Sequence, residues 1–245
     1  MKTPPIVSAE EWDAALQKML ADEKEVQRAR DALAAKRRRM PWTLVEKEYA
    51  FDGPDGKLSL LDLFDGRRQL IVYRAFIEPG TGGDDVPGHP GWPEHGCVGC
   101  SLMADHVPNL AHLNARDTTF VYVSRATQPD LERMKKKMGW RHPWYTIVPT
   151  DDAVFDEDFG VDQWHGTNAF IRDEDDRIFR TYMISGRGDE VFVGTWNLLD
   201  MTALGRQENW EDSPQGYPQS PPYQWWRWND TYAEQADGPG ACCQP

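Results

Sequence analysis

The sequence predicts an α/β domain: a parallel-to-mixed central sheet covered by helices. Residues 69–76 (QLIVYRAF) and 118–124 (TTFVYVS) are short, β-branched and aromatic runs bounded by turn residues, as buried strands are. Each is followed by a helical pattern, over residues 98–114 and 128–138. Residues 169–171 and 177–183 then alternate around the acidic turn 173–176, which reads as a hairpin. Strand, helix, strand, helix and hairpin in that order build one sheet with helices packed on it.

The elements follow in order. Ser8 and Glu11 match the capping-box pattern that opens a helix. Trp12, Met19, Val26 and Leu33 then recur every seven residues, with Leu16 and Leu20 alongside. That stripe predicts a helix to about Arg39, lying on its own domain or forming a homodimer contact. Pro41 ends it. Residues 43–51 can form a strand, the run Asp52-Gly53-Pro54-Asp55-Gly56 a turn, and residues 58–64 a short element. A loop rich in Gly and Pro spans residues 79–96, and Pro108 should kink the helix that begins at Val98. From residue 206 onward Trp210, Trp225, Trp226 and Trp228 occur among six prolines with almost no periodicity. So many indoles should wrap onto the domain, as far as about Tyr232. The chain therefore divides into an N-terminal helical extension (1–40), a central domain (41–205) and a Trp/Pro-rich C-terminal wrap with a loose tail (206–245).

Charge narrows the partners. With 40 acidic against 27 basic residues the net charge is −13, which argues against a nucleic acid or an anionic membrane. Residues 151–176 alone hold ten acidic and one basic side chain. Their spacing does not match a calcium loop, so they read as a solvated loop and hairpin tip. No apolar run approaches the ~18 residues of a membrane span. The first residues lack the apolar core of a secretory signal, so a cytoplasmic setting is expected.

The sharpest chemical feature is Gly96-Cys97-Val98-Gly99-Cys100-Ser101, placed after a buried strand and a glycine-rich loop, where a helix begins. Cysteines at i and i+3 meet on one face of a helix's first turn. Cys97 at the N-terminus would face unpaired amides and the positive end of the helix dipole, which favour thiolate over thiol. Cys97 is therefore the expected nucleophile and Cys100 the resolving thiol, with His95 beside Cys97 as a tuning group. Two other readings stay open. The cysteines could be inert, or the array His95, Cys97, Cys100 and His106 could ligate zinc or copper. The adjacent Cys242 and Cys243 chelate a single metal poorly. No nucleophile elbow, Walker loop or dinucleotide fingerprint is present. Trp92, Trp140, Trp144 and Trp164 either line a pocket or fill the core.

The run S-L-L-D-L-F-D-G-R-R-Q-L-I-V-Y-R-A-F, then G-C-V-G-C-S, then a strand and a lysine-rich helix, resembles a thioredoxin-like domain. With Met138-Gly139-Trp140-Arg141-His142-Pro143-Trp144, Asp158-Phe159-Gly160-Val161 and residues 198–208 (LLDMTALGRQE), it is more closely similar to the DUF899 family of predicted dithiol–disulfide oxidoreductases. The resemblance covers roughly residues 10–232. It implies a four- or five-stranded mixed sheet with helices on both faces, the Cys97/Cys100 pair at the first helix, a redox-active disulfide and no other cofactor. It also implies a small-molecule or protein disulfide, or a peroxide, as substrate, with a cellular thiol as reductant. Thioredoxins place a proline before the strand that faces the cysteines. Here the matching stretch is residues 165–170 (HGTNAF), which resembles peroxiredoxin-like domains and favours a peroxide or small disulfide. The peroxidatic T-x-x-C is absent. Copper-handling thioredoxin folds resemble the chain in pairing a cysteine motif with a distant histidine, here His165, although their cysteines are spaced by three residues.

Overall fold

The structure is a computed structural model, described for residues 2–77, 97–160 and 165–232. Helix α1 (Ala9–Arg37) starts at the expected capping box, with Ser8 and Glu11 each satisfying the other's backbone N–H. Its stripe does not lie on the domain. No α1 residue is buried, and Trp12, Met19, Val26 and Leu33 are about half exposed or more. The stripe is too narrow, interrupted by Asp22, Glu23 and Arg30, to bury much apolar area. Contact with the body comes near its ends: Lys2 N–H donates to the Gln215 carbonyl (3.0 Å), and the Arg37 guanidinium lies 4.8 Å from the centre of the Tyr182 ring.

Eight strands form one sheet: β1 (Thr43–Leu44), β2 (Ala50–Gly53), β3 (Gly56–Ser59), β4 (Gln69–Arg74), β5 (Thr118–Ser124), β6 (Trp144–Val148), β7 (Gly166–Arg172) and β8 (Ile178–Ile184), in the order β1-β8-β7-β4-β5-β6-β2-β3. β4, β5 and β6 are parallel and the other pairings are antiparallel. The inner run β8-β7-β4-β5, with α2 (Val98–Asp105) between the parallel strands and a hairpin on the far side, is the expected thioredoxin-like arrangement. The sheet is wider than the four or five strands implied. Residues 43–51 split into edge strand β1 and hairpin strand β2, and the β-branched and aromatic run 144–148 adds β6.

Pro108 does more than kink its helix: α2 stops at Asp105 and α3 (Ala111–Asn114) is separate. Helix α4 (Gln128–Met138) takes Thr127 as N-cap and Gly139, at φ 76°, as its left-handed stop. Helices α5 (Phe155–Asp158) and α6 (Gly194–Leu199) are short, the latter following a 3-10 segment over Gly186–Phe192.

Period-2 alternation sorts the cores. Leu70, Val72, Val121 and Val123 face a cluster with Phe51, Phe64, Phe155 and Phe170. Tyr73 and Tyr122 face the other side, where α2, α4 and the C-terminal segment pack. That second face carries the cysteines.

Candidate functional site

Strand β4 delivers the chain to the motif. Cys97 N–H donates to the Phe76 carbonyl (2.9 Å), so α2 begins beside the C-terminal end of β4. Cys97 is the N-cap of α2 and its Sγ accepts the Cys100 amide at 3.2 Å. Both cysteines are free thiols, Cys97 partly accessible and Cys100 buried at 1% exposure.

The buried sulfur is held by donors in and just after β4. Cys100 Sγ accepts the Phe76 amide at 3.2 Å and the Tyr73 hydroxyl at 3.5 Å. Burial by itself would raise the Cys100 thiol. The Cys97 thiol, the charge of His165, the Tyr73 hydroxyl and the Phe76 amide outweigh it and bring Cys100 down to about 6. Cys97 is pushed up, first by the proton it shares with Cys100 and then by burial. The two sulfurs ionise as one unit, holding a single proton between them near neutral pH. Tyr73 is itself raised by burial and stays a donor.

His165 sits just before β7, across from the motif, where the resemblance located the stretch without proline. Its Nδ1 is 3.3 Å from Asp189 Oδ2, an ion-pair contact without hydrogen-bond alignment. Burial lowers His165, but Asp189 and the Cys100 sulfur prevail and raise it, favouring the imidazolium. Asp189 is 3% exposed and also accepts the Thr167 hydroxyl at 3.1 Å.

His106 is not brought to the cysteines. Its Nδ1 meets the Leu102 carbonyl at 2.7 Å, and its Nε2 accepts from the Thr195 amide (3.2 Å) and hydroxyl (2.8 Å). Both ring nitrogens are thus spent tying α2 to the start of α6, which removes His106 from the expected ligand set. His95, Trp92, Trp164, Cys242 and Cys243 lie outside the described residues. Trp140 and Trp144 fill the core, their indole N–H groups bonded to Asp105 (2.7 Å) and Ser124 (3.1 Å). Among the described residues no group of three or more His, Cys, Asp or Glu has metal-binding geometry.

The C-terminal segment wraps onto the motif. A Cβ placed on Gly99 would lie 2.8 Å from Trp226 Cζ3, so glycine here admits the indole against the first turn of α2. Trp226 in turn packs on Tyr223 (4.5 Å between ring centres) and Trp196 (5.3 Å). The wrap is organised by Glu208, fully buried, which accepts from the Trp210 indole (2.6 Å), the Trp225 indole (2.8 Å) and the Tyr223 amide (2.8 Å). Reasoning from sequence missed Tyr73, Asp189 and Glu208, and expected Trp226 to wrap onto the domain without placing it against the motif. Tyr73 could have been found: it shares a strand face with the end of β4 that leads to the motif.

The profile of the family described as bacterial protein of unknown function (DUF899) matches residues 1–232. The chain belongs to that family. Among solved structures, this DUF899 protein is similar to the peroxidoxin BcpB from Mycobacterium tuberculosis, at 13% identity over 64% of this chain and 92% of that one (TM-score 0.37). It is also similar to a thiol:disulfide interchange protein from Bacteroides sp., at 15% identity over 69% and 94% (TM-score 0.39). A third is apo Sco1 from Thermus thermophilus, at 16% identity over 64% and 96% (TM-score 0.32). No curated protein matches the chain. No described helix is long and apolar enough to cross a membrane.

Proposed function

We propose that this protein is a dithiol–disulfide oxidoreductase working through Cys97 and Cys100. The observation that carries the reading is the buried Cys100 sulfur, held by the Phe76 amide and the Tyr73 hydroxyl next to His165. Donors arranged around a sulfur stabilise thiolate, the species that reacts.

Cys97 is the more accessible sulfur and attacks, passing its proton to Cys100. It displaces one thiolate from a small disulfide, or a hydroxide or alkoxide from a peroxide, to give a mixed disulfide or a sulfenic acid. Cys100 gives that proton to the departing thiolate, hydroxide or alkoxide and, a thiolate again beside His165, then attacks Cys97 Sγ. The second thiolate, or water, leaves and the Cys97–Cys100 disulfide remains. Two electrons have moved from the dithiol to the substrate, and an external cellular thiol returns them.

The test is a redox titration of the pair alongside metal analysis of the purified protein. A metal-free protein titrating as a two-electron couple at roughly −200 to −270 mV supports the reading. Stoichiometric copper or zinc on Cys97, Cys100 and His165, with no titratable disulfide, overturns it. Full reductase or peroxidase turnover in Cys97→Ser would also overturn it.

A further inference from the structure

Beneath α2, on the sheet face that carries Tyr73, lies a cavity of about 420 Å³. Ile71, Phe120 and Ala169 form its floor, and Met103 and Val107 close it from above. Phe192 stands at its edge, 46% exposed, as does Val191 at 62%. Apolar side chains left in water at the rim of an apolar cavity are the mark of a ligand site, and this volume suits a small molecule.

The charged member of the lining is Arg37, the last residue of α1, beside the polar His106 and Thr167. Its guanidinium carbon lies 4.8 Å from the centre of the Tyr182 ring at the cavity wall, and its Nε is buried without a hydrogen-bond partner. A guanidinium in the lining of a largely apolar cavity offers a countercharge to a ligand's anionic end. A carboxylate fits that fork. Through this side chain α1, none of whose residues is fully buried, reaches the sheet.

We propose that the cavity under α2 binds a small amphipathic anion, its apolar body between the sheet and α2 and its carboxylate on Arg37. The site stands independently of the thiol chemistry, although Tyr73 touches both: its ring lines the cavity and its hydroxyl reaches Cys100.

The probe is decanoate, titrated calorimetrically into the full chain, with decanol and decyltrimethylammonium as matched tails lacking the anion. Decanoate should bind one to one and decyltrimethylammonium at least tenfold more weakly. Arg37→Gln, in the last turn of α1, should weaken decanoate about tenfold and leave decanol unchanged. Ala169→Phe, which fills the floor, should abolish both, with unchanged circular dichroism confirming the fold. Absence of saturable decanoate binding overturns the proposal. So does decanoate affinity that is unmoved by either substitution, which would put any binding elsewhere.

Discussion

Replacing Tyr73 by Phe tests the electrostatics of the thiol pair with little change of shape. The ring keeps its place against Tyr122, 4.6 Å between centres, and only the hydroxyl that reaches Cys100 Sγ at 3.5 Å is lost. A hydrogen bond to a charged group contributes about 1.5–3 kcal/mol, and the length of this one puts it at the lower end. About 1.4 kcal/mol corresponds to one pH unit. The hydroxyl stabilises only the anion strongly, so its loss should raise the first ionisation of the pair from about 6 to about 7. The assay is the pH dependence of alkylation by iodoacetamide, with Cys97→Ser and Cys100→Ser run separately to assign each limb. An unchanged or lowered midpoint in Tyr73→Phe would mean that the hydroxyl does not hold the thiolate, and the assignment of Cys100 as the anionic sulfur would fall with it.

Asp156 is nearly buried beside Arg74 and Arg125. Burial raises its carboxyl, but the two guanidinium partners win and hold it below the usual range. Its contribution is therefore present above the ordinary carboxylate value of about 3.9 and is lost as pH falls through the lowered one. Asp156→Asn, which removes the carboxylate bonded to both Arg74 and Arg125, should cost about 1.5–3 kcal/mol at neutral pH and flatten the acid limb of a urea-denaturation series. Glu208→Gln keeps one acceptor oxygen and turns an amide N–H₂ toward the Trp210 or Trp225 indole. The cost of about 1.5–3 kcal/mol should lower Tm by roughly 3–12 °C in a calorimetric scan. Gly99→Ala should destabilise by about 1–3 kcal/mol because its Cβ meets Trp226. In a Trp226→Ala background the same change should become neutral or favourable, since Ala is the better helix residue, and the double-mutant cycle reads the difference in urea.

What the sequence disclosed follows the range of each interaction. β5 and α4 match the expected boundaries because their signals are local: a β-branched run, a Thr cap and a stopping glycine. The CxxC pair was legible for the same reason, since three-residue spacing at a helix start fixes the meeting of the sulfurs. Its electrostatics were not, because the groups that set them come from distant positions. Tyr73 precedes Cys100 by 27 residues and His165 follows it, just before β7. Local reasoning about the helix N-terminus put the anion on Cys97. The structure gives that sulfur the Cys100 amide, and gives Cys100 the Phe76 amide, the Tyr73 hydroxyl and the nearby His165. His106 misled in the opposite way: its nearness in sequence suggested ligation, whereas Leu102 and Thr195 had already claimed both nitrogens. The wrap shows the same division. Composition alone said that the indoles must be covered, but Trp226 against Gly99 is a pairing across the fold that composition cannot express. A heptad stripe, finally, measures only what could be buried. In α1 the charged interruptions leave too little apolar width for the sheet to compete with water, so a well-capped helix forms and its apolar face remains exposed.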